Sequence, residues 1–369
     1  VEALYMADYA GQWQKAFKAL KIAPFKSLEN ANDVLLSVTD PVYSPFKAVF
    51  FTGLEHTELT PSLDFLDTAE DKGKGKVKKV SRLANLAASK REVTPVDKRF
   101  KDMHILMKES SQGQLPIEVW LDRIGQMQVY VSEVSLSPDP SKKAYEIVKA
   151  RYQSGAANPI ATLKNYARSA PAPMDDWLRS LSDESWRVIM RSARQYVNTQ
   201  WRNQVYSTYT SSLKGRYPLS KTSTDELALF DFVEFFKPAG QLDLFYKEFI
   251  NPFVDTSNNW RNRSVDGYSL GFSNSSIAQL RNGLAIKDIF FRANPETPTI
   301  KLSVKPYKMD EKDARFTMDI GDSRLTYNHG PKFWASLVWS GEDEDKRIRL
   351  VFEGLNGASV EQTYTGPWA

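Results

Sequence analysis

The chain has 369 residues, a length that suggests two or three domains because single cores stop growing at roughly 250–300 residues. Its apolar content of 41% is ample for large cores, its formal charge is only +4, and it has no cysteine, which excludes disulfides and thiol chemistry. No run approaches the roughly 18 apolar residues of a membrane helix. Because the sequence opens at Val1 without a leader pattern, we expect a processed chain or a fragment.

Helical patterns dominate residues 1–67, which we treat as a first helical segment. Ser44 followed by Pro45 is typical of a helix start, because serine caps free N–H groups and proline fits the first turn. Apolar residues at helical spacing predict the remaining helix positions. The predicted helices cover residues 1–20, 33–38 and 44–54.

Residues 68–95 break this pattern, since they are rich in Lys, Gly, Ala and Ser and carry no aromatic residue. We predict a charged loop or linker there. Residues 70–101 contain eleven Lys/Arg and four Asp/Glu, which gives a local net charge of 11 − 4 = +7. Nucleic-acid binding is not expected, because such proteins carry their charge on a folded face. The GKGK string is not a phosphate-binding loop, because Val77 follows its last lysine and no strand precedes it.

Residues 96–255 are predicted to form a helical domain. Its longest helix is expected to begin at Ser182, because Asp183 and Glu184 follow that residue as in a capped N-terminus. A stripe of tryptophan and aliphatic residues along this helix is typical of core packing. The predicted helices cover residues 97–108, 117–134, 140–153, 159–170 and 183–213.

An aromatic helix pair follows between Ser223 and Trp260. Ser223 and Glu226 have the spacing of a capping box, and Pro238 and Gly240 are expected to separate the two helices. The pair is apolar nearly all round, which predicts burial. We assign its phenylalanines a structural role where helices give way to strands. They are Phe232, Phe235, Phe236, Phe245, Phe249 and Phe253.

Residues 256–369 are predicted to form an antiparallel β-sandwich with a leading helix over 276–291. The alternation of apolar and polar residues predicts six strands, and Gly321–Asp322 is typical of a hairpin turn. The fold class is therefore α+β, a long all-helical region followed by an antiparallel β-sandwich. The predicted strands cover residues 300–304, 316–320, 325–327, 335–339, 347–353 and 360–365.

Catalytic motifs are almost absent. The three histidines have no metal-ligand spacing. Residues 267–271 match the G-x-S-x-G elbow of serine hydrolases, with Ser269 as nucleophile and His329 as the base that follows it. That elbow requires a mainly parallel sheet, and no alternation of strands and helices precedes it. We expect an ordinary turn, with His329 bonded to backbone, and no enzyme; a serine hydrolase is the weakest alternative.

Tryptophans in the β-domain leave a second alternative open. Trp334, Trp339 and Trp368 could stack on sugar rings, as in glycan- or peptidoglycan-binding modules, although inward packing is the commoner role. Glu342 and Asp343 lie in an acidic run after Trp339, where a hairpin tip offers a docking surface.

Six strings stand in a characteristic order over about the last 155 residues. They are Gly215–Leu219, Phe235–Phe245, Pro252–Asp255 with Trp260, Ile286–Phe291, Tyr327–Pro331 and Gly366–Ala369. This ordered set resembles the C-terminal periplasmic region of the IcmF/TssM family, the inner-membrane core subunit of the bacterial type VI secretion system. Departures are modest: Leu219 stands where phenylalanine is usual, Ala239 where glycine is common, and Ser340 where proline is typical.

The resemblance implies a structural subunit without a cofactor or metal. It implies that this periplasmic region docks the outer-membrane lipoprotein TssJ and forms a ring-like channel by self-association, beside the inner-membrane protein TssL. Membrane helices would lie outside this chain, and the β-domain would continue past Ala369. As signature and possible docking residues we select Tyr327, His329, Trp334, Trp339, Glu342, Asp343 and Trp368.

Overall fold

The computed structural model describes residues 1–60, 93–109, 113–155, 158–341 and 347–368. The chain forms two compact units, Val1–Ala193 and Arg194–Ala369. The α+β fold predicted from the sequence is confirmed: helices fill the first unit, and the second carries helices followed by antiparallel sheets. The domain limits predicted at residues 67, 95 and 255 stay predictions.

The first unit is built from helices with well-defined starts. Ser44 and Thr94 cap their helices through side-chain oxygens, and proline occupies the next position in both. Apolar faces meet in the interior, where Ile124, Val131 and Leu178 are fully buried. The helices are α1 (Glu2–Ala19), α2 (Leu28–Val38), α3 (Pro45–Thr57), α4 (Pro95–Leu106), α5 (Pro116–Ser135), α6 (Pro140–Ser154), α7 (Pro159–Tyr166) and α8 (Met174–Gln200), whose last residues enter the second unit.

The predicted start of the longest helix at Ser182 is wrong. Helix α8 begins at Met174, with Asp175 and Asp176 in its first turn. Ser182 lies inside the helix and is buried, and its hydroxyl donates to the Leu178 carbonyl over 2.8 Å. A serine can satisfy its hydroxyl on the preceding turn in this way, so it can lie inside a helix although it is more favoured at a cap.

Asp97 holds the end of α3 beside the start of α4. Its carboxylate accepts the N–H of Leu59 at 2.8 Å, the hydroxyl of Thr60 at 2.9 Å and the N–H of Thr94 at 3.2 Å. The segment that ends at Thr60 and the segment that contains Thr94 are therefore both hydrogen-bonded to the carboxylate of Asp97. Most of the charged loop predicted at 68–95 lies outside the described residues.

The helical part of the second unit is less regular. Helix α8 continues through two π-helical segments, Trp201–Tyr206 and Tyr209–Leu213. Helices α9 (Leu229–Phe236), α10 (Gln241–Phe245) and α11 (Asn274–Phe290) follow. A π turn and a 3₁₀ turn extend α10 to Phe253, and the short strands β1 (Val254–Asp255) and β2 (Arg261–Asn262) pair with each other.

The capping box predicted at Ser223 and Glu226 is wrong. Ser223 lies in a turn, and the neighbouring chain forms a bridge in which Tyr217 donates to the Asp225 carbonyl at 2.8 Å. Helix α9 starts only at Leu229. The prediction that this helix is buried on all sides is also wrong, since Phe230 is 74% exposed. The backbone bridge between Tyr217 and Glu226 outweighed the capping signal.

The six predicted strands are confirmed as a two-layer arrangement. Strand β3 (Thr299–Val304) pairs with β6 (Ala335–Ser340), and the second sheet has the antiparallel order β5-β4-β7-β8. Ile320, Leu325 and Leu337 form the core between the layers. The hairpin at Gly321–Asp322 joins β4 to β5 as predicted. The strands of the second sheet are β4 (Asp313–Ile320), β5 (Ser323–Tyr327), β7 (Arg347–Gly354) and β8 (Ser359–Thr365).

Candidate functional site

One aromatic cluster joins the helices of the second unit to its β-domain. We call it the tryptophan cluster, and it consists of Phe232, Phe290, Phe291, Trp339 and Trp368. The ring of Phe232 on α9 lies 4.9 Å from Trp368 and 5.0 Å from Phe290, both edge-on. It also stacks against Phe291 at 6.1 Å. Edge-to-face geometry of this kind stabilises aromatic pairs beyond simple burial.

The two tryptophans of this cluster pack against each other. Trp339 on β6 stacks on Trp368 with ring centres 5.7 Å apart and planes 14° apart. Trp368 also donates its indole N–H to the Leu227 carbonyl at 2.6 Å, just before α9. From the sequence alone, Phe232 is expected in a helix, and Trp339 and Trp368 are possible ligand-stacking residues. The structure brings all three together in one structural contact.

The other phenylalanines of the aromatic helix pair are buried. Phe245 contacts Phe249 at 5.1 Å and Trp201 at 5.3 Å, so the second helix of the pair packs against the end of the long helix. Phe235 and Phe236 contact each other at 4.9 Å. The exposed fraction is 7% or less for every member of this group, which comprises Phe232, Phe235, Phe236, Phe245, Phe249 and Phe253.

A buried carboxylate fixes the turn between α9 and α10. Asp243 is only 2% exposed and forms ion pairs with Lys247 at 2.7 Å and with Lys287 of α11 at 2.8 Å. It also accepts the N–H of Ala239, which has a φ of 57°, over 2.9 Å. Burial by itself raises the pKa of Asp243, but the hydrogen bonds from the two lysines and Ala239 outweigh it and lower the pKa to about 2. The carboxylate is therefore charged at neutral pH.

The end of the sandwich formed by the β3–β4, β5–β6 and β7–β8 connections carries an exposed apolar patch. We call it the aromatic loop surface, and it consists of Tyr307, Phe333, Trp334 and Leu355. Tyr307 is 87% exposed, Trp334 69% and Leu355 73%. From the sequence alone, Trp334 is the one member of this group that is a candidate docking residue. Aromatic residues beside Pro306 and Pro331 in two neighbouring turns were the available signal for Tyr307 and Phe333.

Two lysines accompany the aromatic loop surface. Lys305 places its ammonium 5.9 Å from the ring centre of Trp334, and Lys332 lies 5.4 Å from that of Tyr307. Lys332 also donates to the Tyr307 carbonyl, which ties the β5–β6 loop to the β3–β4 loop. The surface therefore combines exposed apolar side chains with two lysines.

His329 is a turn residue, as predicted. It has a φ of 59°, and its Nε2 lies 2.7 Å from the Asp313 carbonyl at the start of β4. Tyr327, two residues earlier, is buried at the end of β5. These two residues position the β5–β6 loop that carries Trp334. Glu342 and Asp343, also selected from the sequence, lie outside the described residues.

The described residues do not assemble a serine hydrolase site. Ser269 lies in an irregular segment before α11, with no strand leading into it, and Gly267 and Gly271 are left-handed turn glycines with φ of 87° and 67°. The nucleophile elbow requires a strand-to-helix turn. Within the described ranges, no group of three His, Asp or Glu residues could hold a metal ion. No helix in those ranges is long and apolar enough to cross a membrane.

Comparison with known proteins defines the class. The family model named "Intracellular multiplication and human macrophage-killing" (IcmF-related) matches residues 1–58, the type VI secretion protein IcmF helical domain matches 192–294, and the type VI secretion protein IcmF C2-like domain matches 302–369. These matches follow the helix-then-sandwich order of the fold and define a type VI secretion protein.

The chain belongs to the IcmF/TssM family. The type VI secretion system component TssM1 of Pseudomonas aeruginosa is 28% identical over 390 residues, in an alignment that covers all of this chain and 34% of the relative. The chain therefore spans about a third of the length of that curated relative.

Solved structures share the fold. A chain of a "Type VI secretion system membrane core complex" aligns with a TM-score of 0.71 and 15% identity, covering 100% of this chain and 71% of that one. A chain of a "Type VI membrane complex" aligns with a TM-score of 0.64 and 14% identity, covering 99% of this chain and 67% of that one. At these identities the likeness concerns the fold alone.

Proposed function

We propose that this chain is a structural region of a type VI secretion membrane core complex, and that its aromatic loop surface docks the outer-membrane lipoprotein TssJ. The family membership supports the structural role. The observation that carries the docking proposal is the exposed group of Tyr307, Phe333 and Trp334 at one end of the sandwich. Exposed aromatic residues grouped in this way mark interaction sites on proteins.

The geometry of this surface suits protein docking. Tyrosine and tryptophan dominate binding energies at interfaces because they bury large areas at a low cost in side-chain entropy. The link from Lys332 to the Tyr307 carbonyl holds the two loops in one arrangement before a partner arrives. Such preorganisation lowers the entropy that binding must overcome.

The same proposal includes the setting of the chain. We place it in the periplasm, where it meets TssJ at its sandwich end and assembles with further copies and with TssL into a ring-like channel. The family membership and the membrane complexes of similar fold support this setting. The role requires no catalytic group, and we expect none.

The test measures TssJ binding to the full 369-residue chain by biolayer interferometry. We expect the double variant Tyr307→Ala/Trp334→Ala to weaken binding at least tenfold, since interface aromatics of this kind contribute about 2 kcal/mol or more each. Phe230→Ala is the matched control, because Phe230 is an exposed aromatic residue of the same unit on α9. Unchanged affinity in the double variant, or an equal loss in the control, would contradict the proposal.

A further inference from the structure

A cleft lies between the end of the long helix and α11 in the second unit. It consists of two adjoining hollows of about 550 and 270 Å³ that share Trp201, Gln279 and Leu280. Volumes in this range are typical of small-molecule binding sites. Neither the family matches nor the proposed docking surface assigns a role to this cleft.

One wall of the cleft is aromatic. Trp201, Val205 and Tyr209 follow one another at intervals of four residues, so they line one face of the long helix. Trp201 is half-buried, and its ring is fixed edge-on against Phe245 at 5.3 Å. Tyr206 and Tyr209 remain 48% and 37% exposed. Both π-helical segments fall in this wall, and π-helical turns are frequent at functional sites.

The opposite wall is uncharged, and it mixes amide and hydroxyl side chains with apolar ones such as Leu280 and Ile286. Ser275, Gln279 and Asn282 of α11 line it, and their spacing of four and three residues places them on one face of the helix. Among the described residues, those that line the two hollows include no Asp, Glu, Lys or Arg. The cleft thus combines a stacking surface with amide and hydroxyl groups and offers no partner for a charged ligand.

We propose that this cleft binds a neutral glycan that carries N-acetyl groups. A sugar ring has an apolar C–H face, which stacks on an aromatic side chain, and a polar edge, which bonds amides. From Trp201 to Tyr209 the aromatic wall extends over about two helical turns, which accommodates a short oligosaccharide. Acetamido groups and the side-chain amides of Gln279 and Asn282 are both donors and acceptors, so they can pair reciprocally.

Other occupants fit this cleft less well. A charged ligand would lose water without gaining an opposite charge. A wholly apolar helix would leave the polar groups of the α11 wall without partners. Trp339 does not offer the same platform, because one of its faces is covered by Trp368 at 5.7 Å, and Trp334 belongs to the proposed docking surface. The sugar-binding function considered for Trp334 and Trp339 is therefore assigned to a different part of the same unit.

The test titrates the full chain with chitotetraose, the tetramer of N-acetylglucosamine, by isothermal calorimetry and saturation-transfer NMR. We expect saturable binding and at least a tenfold loss in the variant Gln279→Ala/Asn282→Ala. Both side chains are exposed on a helix and alanine is the better helix former, so the fold is retained. Asn203→Ala, an exposed amide on the same long helix but outside the cleft, should bind as the wild type does.

The ligand class is tested with cellotetraose, a glucose tetramer of similar shape without acetamido groups. We expect it to bind at least tenfold more weakly than chitotetraose. No binding of chitotetraose at roughly 1 mM, the range of weak specific ligands, would overturn the proposal. Equal binding of the two tetramers would overturn the N-acetyl preference, and an unchanged affinity in the double variant would overturn the location. This inference does not depend on TssJ docking.

Discussion

Replacing Asp243 with asparagine should destabilise the second unit through the loss of a buried charge. The carboxylate is 2% exposed and holds Lys287 at 2.8 Å, and the side chain of that lysine is itself only 22% exposed. Asp243→Asn removes the charge but keeps an oxygen for the Ala239 N–H. The lysine is then left without its partner in a poorly solvated position.

The magnitude follows from the pKa. A fall from 3.8 to about 2 corresponds to about 2 kcal/mol of stability at neutral pH, since one pKa unit is worth about 1.4 kcal/mol. Because the folded pKa lies below the unfolded value, this contribution is present above about pH 4 and is lost as the pH falls towards 2. With the unpaired lysine included, we expect a loss of about 2–4 kcal/mol at pH 7.

The assay is urea unfolding at pH 7, followed by hydrogen-exchange mass spectrometry with peptides from residues 229–253 as the reporter. Glu353→Gln is the control, because its ion pair with Arg315 is exposed to solvent and should contribute little to stability. A double-mutant cycle with Lys287→Met isolates the pair. A loss below about 0.5 kcal/mol for Asp243→Asn, or a loss that does not shrink between pH 4 and pH 2, would refute the reasoning.

Three further predictions concern packing and titration. Gly240→Ala should destabilise the fold by about 1–3 kcal/mol in urea unfolding, because its Cβ would lie 2.8 Å from two backbone carbonyl oxygens. Gly125→Ala in α5 is the control: its Cβ would meet open space, and it should stabilise the fold by about 0.5–1 kcal/mol. Trp368→Ala should cost about 1–3 kcal/mol, because the ring is only partly buried, and should weaken the near-ultraviolet dichroism of the stacked tryptophans. Trp368→Phe should cost less; an equal loss would exclude ring packing as the cause. Burial lowers the pKa of His104 below its ordinary value of 6.5, so the Tm of the wild type should fall as the pH drops below 6.5. His104→Gln should flatten this dependence of Tm on pH, and parallel Tm profiles for the two proteins would contradict the prediction.

Periodicity predicted the strands well because alternation is a local signal that burial of one face enforces. Leu325 and Tyr327 are buried and alternate with the exposed residues Arg324 and Thr326, and Leu325 lies in the core of the sandwich. The helix starts at Ser44 and Pro45 were predictable for a similar reason, since capping is complete within four residues.

Contacts between distant residues were not predictable. The sequence gives no sign that Trp368 stacks on Trp339 and donates to the Leu227 carbonyl, 141 residues earlier in the chain. A pairing outside the four-residue capping window also explains Ser223, whose apparent capping box yields to a bridge between residues 217 and 226. Capping signals fail where such pairing offers the backbone a better set of hydrogen bonds.

The candidate docking residues could be predicted only in part. Trp334 was selected for its type, and its exposure of 69% agrees with a binding role. Tyr307 and Leu355 belong to turns far apart in the sequence, and they join Trp334 only because three strand connections meet at one end of the sandwich. Sheet topology, and not a motif, creates this surface.

The most direct test of the central proposal is a hydrogen-exchange footprint of TssJ on this chain. The aromatic loop surface predicts slower exchange on binding in residues 305–312 and 328–334, with the helical peptides of the first unit unchanged. Protection confined to the helices, with both loops exchanging as in the free chain, would contradict docking at the end of the sandwich.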